Sequence, residues 1–225
     1  MSIVAQGIVK KIKRGKTGNT FTVINNVSIE LSKAELVVLT GKSGSGKSTL
    51  LNILSGQLRP TEGIVTVDDV DLYSLKDNQI SYIRSKEFGY ISQIPNPINS
   101  LTVLHNVLLP YTLFDSSKDY YNPENEEYKR AIELLQRLGI EHLKNSFPTE
   151  LSGGELKRVL IARALIRKPT YIFADEPTAD LDDENTSLVL QLLKEQAIEG
   201  ASVIVATHER DAERFADRSI SIGSL

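Results

Sequence analysis

The chain has 225 residues, 40% of them hydrophobic and 24% charged, with a formal net charge of -3. That is the composition of an ordinary globular protein with a sizeable core, and it excludes the overall polycation expected of a nucleic-acid binder. Cysteine is absent, which excludes disulfides, thiolate-ligated metals and thiol chemistry, and no apolar run approaches the roughly 18 residues needed to cross a bilayer. Met1–Gln6 carries no signal-peptide pattern, so any membrane role is expected to come through a partner.

In chain order, residues 1–35 hold short β-like stretches, Phe21–Ile24 and Val27–Leu31, beside a basic segment, Lys10–Lys16, that reads as a solvated edge hairpin. The apolar run Leu36–Leu39 predicts a buried strand. It leads into Gly41-Lys42-Ser43-Gly44-Ser45-Gly46-Lys47-Ser48-Thr49, and Ser48–Leu54 leaves as a helix. Arg59–Gly63 breaks the chain before a half-buried strand, Ile64–Val67. Phe88–Ser92 reads as a strand ending at Gln93, after which two prolines and two asparagines exclude regular structure over Ile94–Asn99. Helical character begins at Leu101. Residues 115–127 read as an exposed acidic loop, and Glu126–Leu138 carries apolar residues at helical spacing, with Gly139 as a stop. Leu151–Glu155 opens a helix through Arg167 that Pro169 closes. Tyr171–Ala174 is a buried strand with Asp175 and Glu176 at its end, and Asp182 caps a helix to about Ile198. Ser202–Ala206 is the next buried strand, with His208 just past it, and Arg218–Ile222 alternates as the last. Strands alternating with helices predict a parallel α/β core interrupted at about 97–165 by a mostly helical lobe.

Gly41–Thr49 fits G-x-x-x-x-G-K-[ST], the loop that cradles nucleotide phosphates. Its glycines let successive amides turn inward toward phosphate oxygens, and the helix start behind adds oriented donors and partial positive charge. In that pattern Lys47 reaches the β and γ phosphates, and the Ser48 hydroxyl ligates Mg²⁺. Ligands of open parallel sheets sit at the carboxyl ends of strands, where this loop, Gln93, Asp175, Glu176 and His208 all fall. Asp175 is expected to be the acidic partner of Ser48 at the metal, which frees Glu176 to orient or deprotonate a water. Ser152, Gly153, Gly154 and Glu155 form a second cradle of bare amides and a hydroxyl. One nucleotide does not need two cradles more than a hundred residues apart, so the second is expected to serve the γ-phosphate of another protomer.

Together, Gly41–Thr49, Gln93, Leu151–Glu155, Tyr171–Glu176, Asp182 and His208 resemble the nucleotide-binding domain of ATP-binding cassette (ABC) proteins. They match its Walker A, Q-loop, signature, Walker B, D-loop and H-loop over essentially the whole chain. Within the family, Phe173–Thr178 and the compact length look like the lipoprotein-release, macrolide-export and antimicrobial-peptide-resistance transporters. The resemblance implies an α/β, P-loop NTPase (RecA-like) parallel-sheet core with an N-terminal antiparallel β subdomain and an inserted α-helical subdomain. The chain is then a single domain, with residues 1–96 and 166–225 as core and about 97–165 as the helical part.

On the same footing, ATP and Mg²⁺ are bound at a head-to-tail homodimer interface formed on ATP binding. Gly41 through Thr49 hold one nucleotide, and Ser152, Gly153, Gly154 and Glu155 touch the one held opposite. Glu176, His208, Lys47 and Gln93 form the catalytic set; Ser48, Gln93 and Asp175 hold the metal; Asp182 links the two sites. The implied activity is ATP hydrolysis coupled to an integral membrane permease on a separate chain, with a periplasmic or extracellular adaptor, at the cytoplasmic membrane face and without nucleic acid. A second reading is a signalling or cell-division ATPase of the same fold that gates a membrane partner without moving a solute. Three departures stand out. Glu155 takes the usual place of Gln, the match around Thr178–Asp182 is loose apart from Leu181-Asp182, and Ile12 holds the position of the adenine-stacking aromatic.

Overall fold

The structure, a computed structural model, describes residues 2–14, 19–113, 115 and 117–223. Two sheets organise it. β1 (Ser2–Arg14) pairs antiparallel with β2 (Asn19–Ser32) and β4 (Glu62–Val67), and β5 (Val70–Asp71) extends β4, in the order β2-β1-β4-β5. The second sheet is parallel throughout: β3 (Leu36–Thr40), β6 (Phe88–Ile91), β7 (Tyr171–Asp175), β8 (Ser202–Ala206) and β9 (Arg218–Ser221), ordered β6-β7-β8-β3-β9.

Alternate residues of the central strands feed two separate cores. Leu36, Val38, Ile172, Ala174, Val203 and Val205 face α3 (Val103–Thr112), α4 (Glu126–Arg137), α5 (Gly153–Leu165) and α6 (Asp183–Ile198). Val37, Leu39, Tyr171, Phe173, Ile204 and Ala206 face α1 (Lys47–Leu54) and the apolar side of the antiparallel sheet. Near-continuous apolar runs such as Leu36–Leu39, Tyr171–Ala174 and Val203–Ala206 are what a parallel sheet covered on both faces requires.

The expected elements form, with several differences. Phe21–Ile24 and Val27–Leu31 belong to one long strand, β2, whose pairing with β1 shifts register beside Asn26 at φ 52. α2 (Asp77–Glu87) is not anticipated by the sequence analysis, because only Ile80 of its eleven residues is buried and no apolar stripe marks it. α5 ends at Leu165 rather than Arg167, whereas α4 begins at Glu126 as the helical spacing of Glu126–Leu138 predicts, so the exposed loop ends before it. In the basic hairpin, Lys10 Nζ donates to Arg59 O at 2.7 Å and Lys11 pairs with Glu62. Gly15 and Lys16 of that segment lie outside the described residues, as does Leu225. Among the described residues no helix is long and apolar enough to cross a membrane.

Candidate active site

Because β3, β6, β7 and β8 run parallel, the segments leaving their carboxyl ends share one edge of the sheet. A cleft of about 580 Å³ opens there, lined by Val23, Ser43–Thr49, Gln93, Glu176 and His208. Five stretches far apart in sequence therefore meet, four of them at the predicted strand ends and the fifth, Val23, from within β2.

The loop between β3 and α1 is shaped for an anion. Lys47 Nζ donates to the carbonyls of Gly41 at 2.9 Å and Lys42 at 3.5 Å, and the Ser45 amide donates to Lys42 O at 3.1 Å. Gly46 sits at φ 93, where a Cβ would fall 2.8 Å from Val23 O, so no other residue fits without displacing the backbone. Gly46 is also the N-cap of α1 and supplies no side-chain acceptor, leaving the first amides of the helix to an outside ligand. The Ser45 hydroxyl is buried without a hydrogen-bond partner. An orphaned hydroxyl, an uncapped helix start and a loop closed by the absence of a Cβ all fit a phosphate group.

Beside it, Ser48 Oγ donates to Asp175 Oδ1 at 2.9 Å. Burial pushes the Asp175 carboxyl above its usual range; the Ser48 hydrogen bond opposes this and the neighbouring Glu176 adds to it. Among the described residues no cluster of three His, Asp or Glu could cage a metal. A hydroxyl and one carboxylate fit Mg²⁺, which completes its shell with phosphate oxygens and water.

Glu176, the next residue, is held at φ 46 in the left-handed region, with its amide bonded to Ala206 O at 2.8 Å. A non-glycine residue there stores strain of about 1–3 kcal/mol, a feature that gathers at functional sites. The turn aims its buried carboxylate into the cleft, where both oxygens lie 3.1 Å from His208 Nδ1. The His208 ring itself is mostly exposed.

Other expected residues lie elsewhere on the chain. Gly41 packs under the loop, where a Cβ would fall 2.8 Å from Ile222 O, and Lys42 contributes its carbonyl; neither lines the cleft. Ser152, Gly153, Gly154, Glu155 and Asp182 are also outside it. Ser152 caps α5: its hydroxyl donates to Glu155 Oε2 at 2.7 Å, and its amide donates to the same oxygen at 2.8 Å. Those two bonds hold the Glu155 carboxyl below its usual range. Asp182 caps α6 by accepting the Asn185 amide at 2.8 Å. Ile12 stands 43% exposed on β1, directly across from Phe21 of β2, which is 55% exposed. Sequence reasoning passed over Phe21, since only the strand pairing sets it beside Ile12, next to the register shift at which Val23 turns to the cleft. It also passed over Asn106, fully buried on α3, whose amide nitrogen donates to the carbonyls of Ile98, Leu101 and Thr102 and so shapes the irregular segment after Gln93. A lone polar residue amid the apolar positions of α3 was the available signal.

Comparison with known proteins agrees with this geometry. The family model for ABC transporters matches residues 24–179. The macrolide export ATP-binding/permease protein MacB of Mannheimia succiniciproducens is 38% identical over 216 residues, which is 95% of this chain but only 33% of MacB. The lipoprotein-releasing system ATP-binding protein LolD of Buchnera aphidicola is 37% identical over 84% of this chain and 81% of LolD. Among solved structures, the dimeric ABC transporter cassette MJ0796 superposes with a TM-score of 0.90 at 36% identity, covering 99% of this chain and 94% of MJ0796. A second dimeric structure of that cassette, in a post-hydrolysis state bound to ADP and Pi, has a TM-score of 0.89 at 37% identity, covering 98% of this chain and 94% of that one. The chain belongs to the ABC transporter family and is an ATPase domain of that family.

Proposed function

We propose that this chain binds ATP with Mg²⁺ in the described cleft, dimerises head to tail around it, and couples hydrolysis to a membrane permease on another chain. The carrying observation is the convergence of the phosphate loop, the Ser48–Asp175 pair and the strained Glu176 with His208 on one sheet edge. The α5 amides and Ser152 lie outside that cleft, which is the arrangement expected if they complete a partner's site. Dimeric forms of MJ0796 support this reading. Asp182 at the head of α6 is assigned to the same interface.

In this reading Lys47 leaves the carbonyls of Gly41 and Lys42 for phosphate oxygens, and the amides of the loop and α1 neutralise developing charge. Ser48 and Asp175 would hold Mg²⁺, which when bound adds further neutralisation of the phosphates. Gln93 reaches into the cleft beside the metal position. Glu176 orients the attacking water and takes its proton, and His208, in contact with the Glu176 carboxylate, lies on the γ-phosphate side. The base rests on the exposed cross-strand pair Ile12 and Phe21, with half-buried Val23 between the pair and the cleft.

The permease is assigned to a second surface. A groove of about 450 Å³ is lined by Phe88, Tyr90, Leu109, Leu113, Arg84 and Arg163 among others, and shares Arg84, Phe88, Tyr90 and Arg163 with a neighbouring hollow that reaches Ser92. Its apolar floor and cationic rim suit a short acidic, apolar segment. The MacB and LolD likenesses favour an exporter or a MacB-like force-transmitting system at the cytoplasmic membrane face. We propose one domain for the chain, with about 97–165 as its helical part.

The test is Glu176→Gln. It should retain ATP binding, lose turnover by on the order of a thousandfold, and accumulate an ATP-dependent dimer in size-exclusion chromatography. Turnover at the wild-type rate would remove Glu176 from the mechanism.

A further inference from the structure

The loop that carries Gln93 leaves β6 at Ile91 and runs without regular structure through two prolines. Its first carbonyls have no strand beyond β6 to receive them. They are met by a lysine of α5: Lys157 Nζ donates to Ser92 O at 3.1 Å and to Gln93 O at 2.9 Å. Lys157 is 3% exposed, and among the described residues no carboxylate forms an ion pair with it. Asp175, Asp180 and Glu176 act on it only from a distance.

Burying an ammonium without a counter-ion is costly, and an apolar side chain of the same length would fill the space more cheaply if packing were all that mattered. What the ammonium alone provides is a pair of charge-assisted bonds to two consecutive carbonyls, which fixes the path of the main chain at Gln93. Further along the same helix, Arg163 bonds Asn96 through both its carbonyl and its side-chain oxygen, so α5 grips the loop at two places. The helix gripping the loop is also the one whose first turn is Ser152–Glu155.

We propose that Lys157 is a positioning residue that ties the main chain of Gln93 to α5. The Gln93 side chain in the cleft and the Ser152–Glu155 end of the helix then shift as one body. Formation of the cradle against a partner's nucleotide is thereby registered at Gln93 through rigid contacts within this chain. The inference rests on the proposed ATPase reading, and goes beyond it by assigning the link to one buried ammonium.

The experiment is a double-mutant cycle on the full chain with MgATP, joined to binding of a fluorescent ATP analogue and a thermal melt. Lys157→Met keeps the stem and removes the donors. It should melt cooperatively and bind the analogue within about twofold of wild type, while turnover falls about tenfold to a hundredfold at little-changed KM. Lys157→Arg, which restores a charged donor, should recover part of the loss. Gln93→Ala added to Lys157→Met should cost no more than the larger single loss, since Lys157 acts on turnover through the placement of the side chain that Gln93→Ala removes. Turnover of Lys157→Met near wild type, or losses that multiply in the double variant, overturns the inference. Should Lys157→Met not melt cooperatively, Lys157→Leu, which likewise removes the donors, is read by the same criteria. A wild-type chain that neither binds the analogue nor releases phosphate overturns the ATPase reading instead, so the two failures are distinguishable.

Discussion

Phe21 carries the sharpest consequence at the scale of single residues. A phosphate cradle holds one end of a nucleotide and leaves the base to find apolar surface, and the exposed aromatic of β2 two residues before Val23 is Phe21, paired with Ile12. Stacking of a base on an aromatic ring is worth about 1–3 kcal/mol by alanine substitution. Phe21→Ala should therefore raise KM for ATP about tenfold with kcat nearly unchanged, because a contact made equally in ground and transition states is lost. An unchanged KM in steady-state assays would take the base off this strip. The contrast with the rest of the site is physical. The cradle, Asp175, Glu176 and His208 were legible because each is a chemical group at a strand end, whose place follows from topology alone. Phe21 and Lys157 were not, because a cross-strand neighbour depends on register and a buried lysine looks in sequence like any solvated charge. The φ of Glu176 was equally invisible, since nothing in a Glu-Pro pair announces a left-handed turn.

At the scale of elements, backbone conformation at helix ends leaves room for improvement away from the cleft. Lys168, exposed between α5 and β7, stands at φ 52 with its amide bonded to Leu165 O at 3.1 Å. This is the left-handed stop that glycine normally supplies after a helix. A Cβ in that region costs about 1–2 kcal/mol, part of which glycine gives back through its freer unfolded chain. Lys168→Gly should stabilise by about 0.5–1 kcal/mol and raise the melting temperature by a few degrees, checked by calorimetry; a lower melting temperature would mean that the lysine side chain outweighs the strain. The buried strands and the helices capped by Ser152 and Asp182 were readable because burial and capping write strong patterns. α2 was not, because one buried residue leaves no stripe to detect. The continuity of β2 was hidden by Asn25-Asn26, polar residues between Phe21–Ile24 and Val27–Leu31 that lie where the β1–β2 register slips.

For the whole molecule, the placement of charge around the groove distinguishes a docking surface from a packing defect. Arg84 comes from α2, while Arg163 and Arg167 come from the end of α5 or just past it, and Phe88, Tyr90 and Leu109 form the floor between them. Cations from separate elements around an apolar trough, on a chain whose net charge is -3, are the ground on which the proposed acidic partner segment is seated on this face. The groove also borders the loop gripped by Lys157 and Arg163, so a segment seated there bears on Gln93 through contacts already described. Arg84→Glu places like charge against such a segment. It should weaken co-purification with the permease on the order of tenfold, and wild-type association should weaken as salt shortens the screening length to a few ångströms. Reversing an acidic residue of the permease segment should restore the Arg84→Glu complex, an outcome that a general loss of fold cannot produce. Association indifferent both to Arg84→Glu and to salt would place the permease on another face and leave the groove without its proposed occupant.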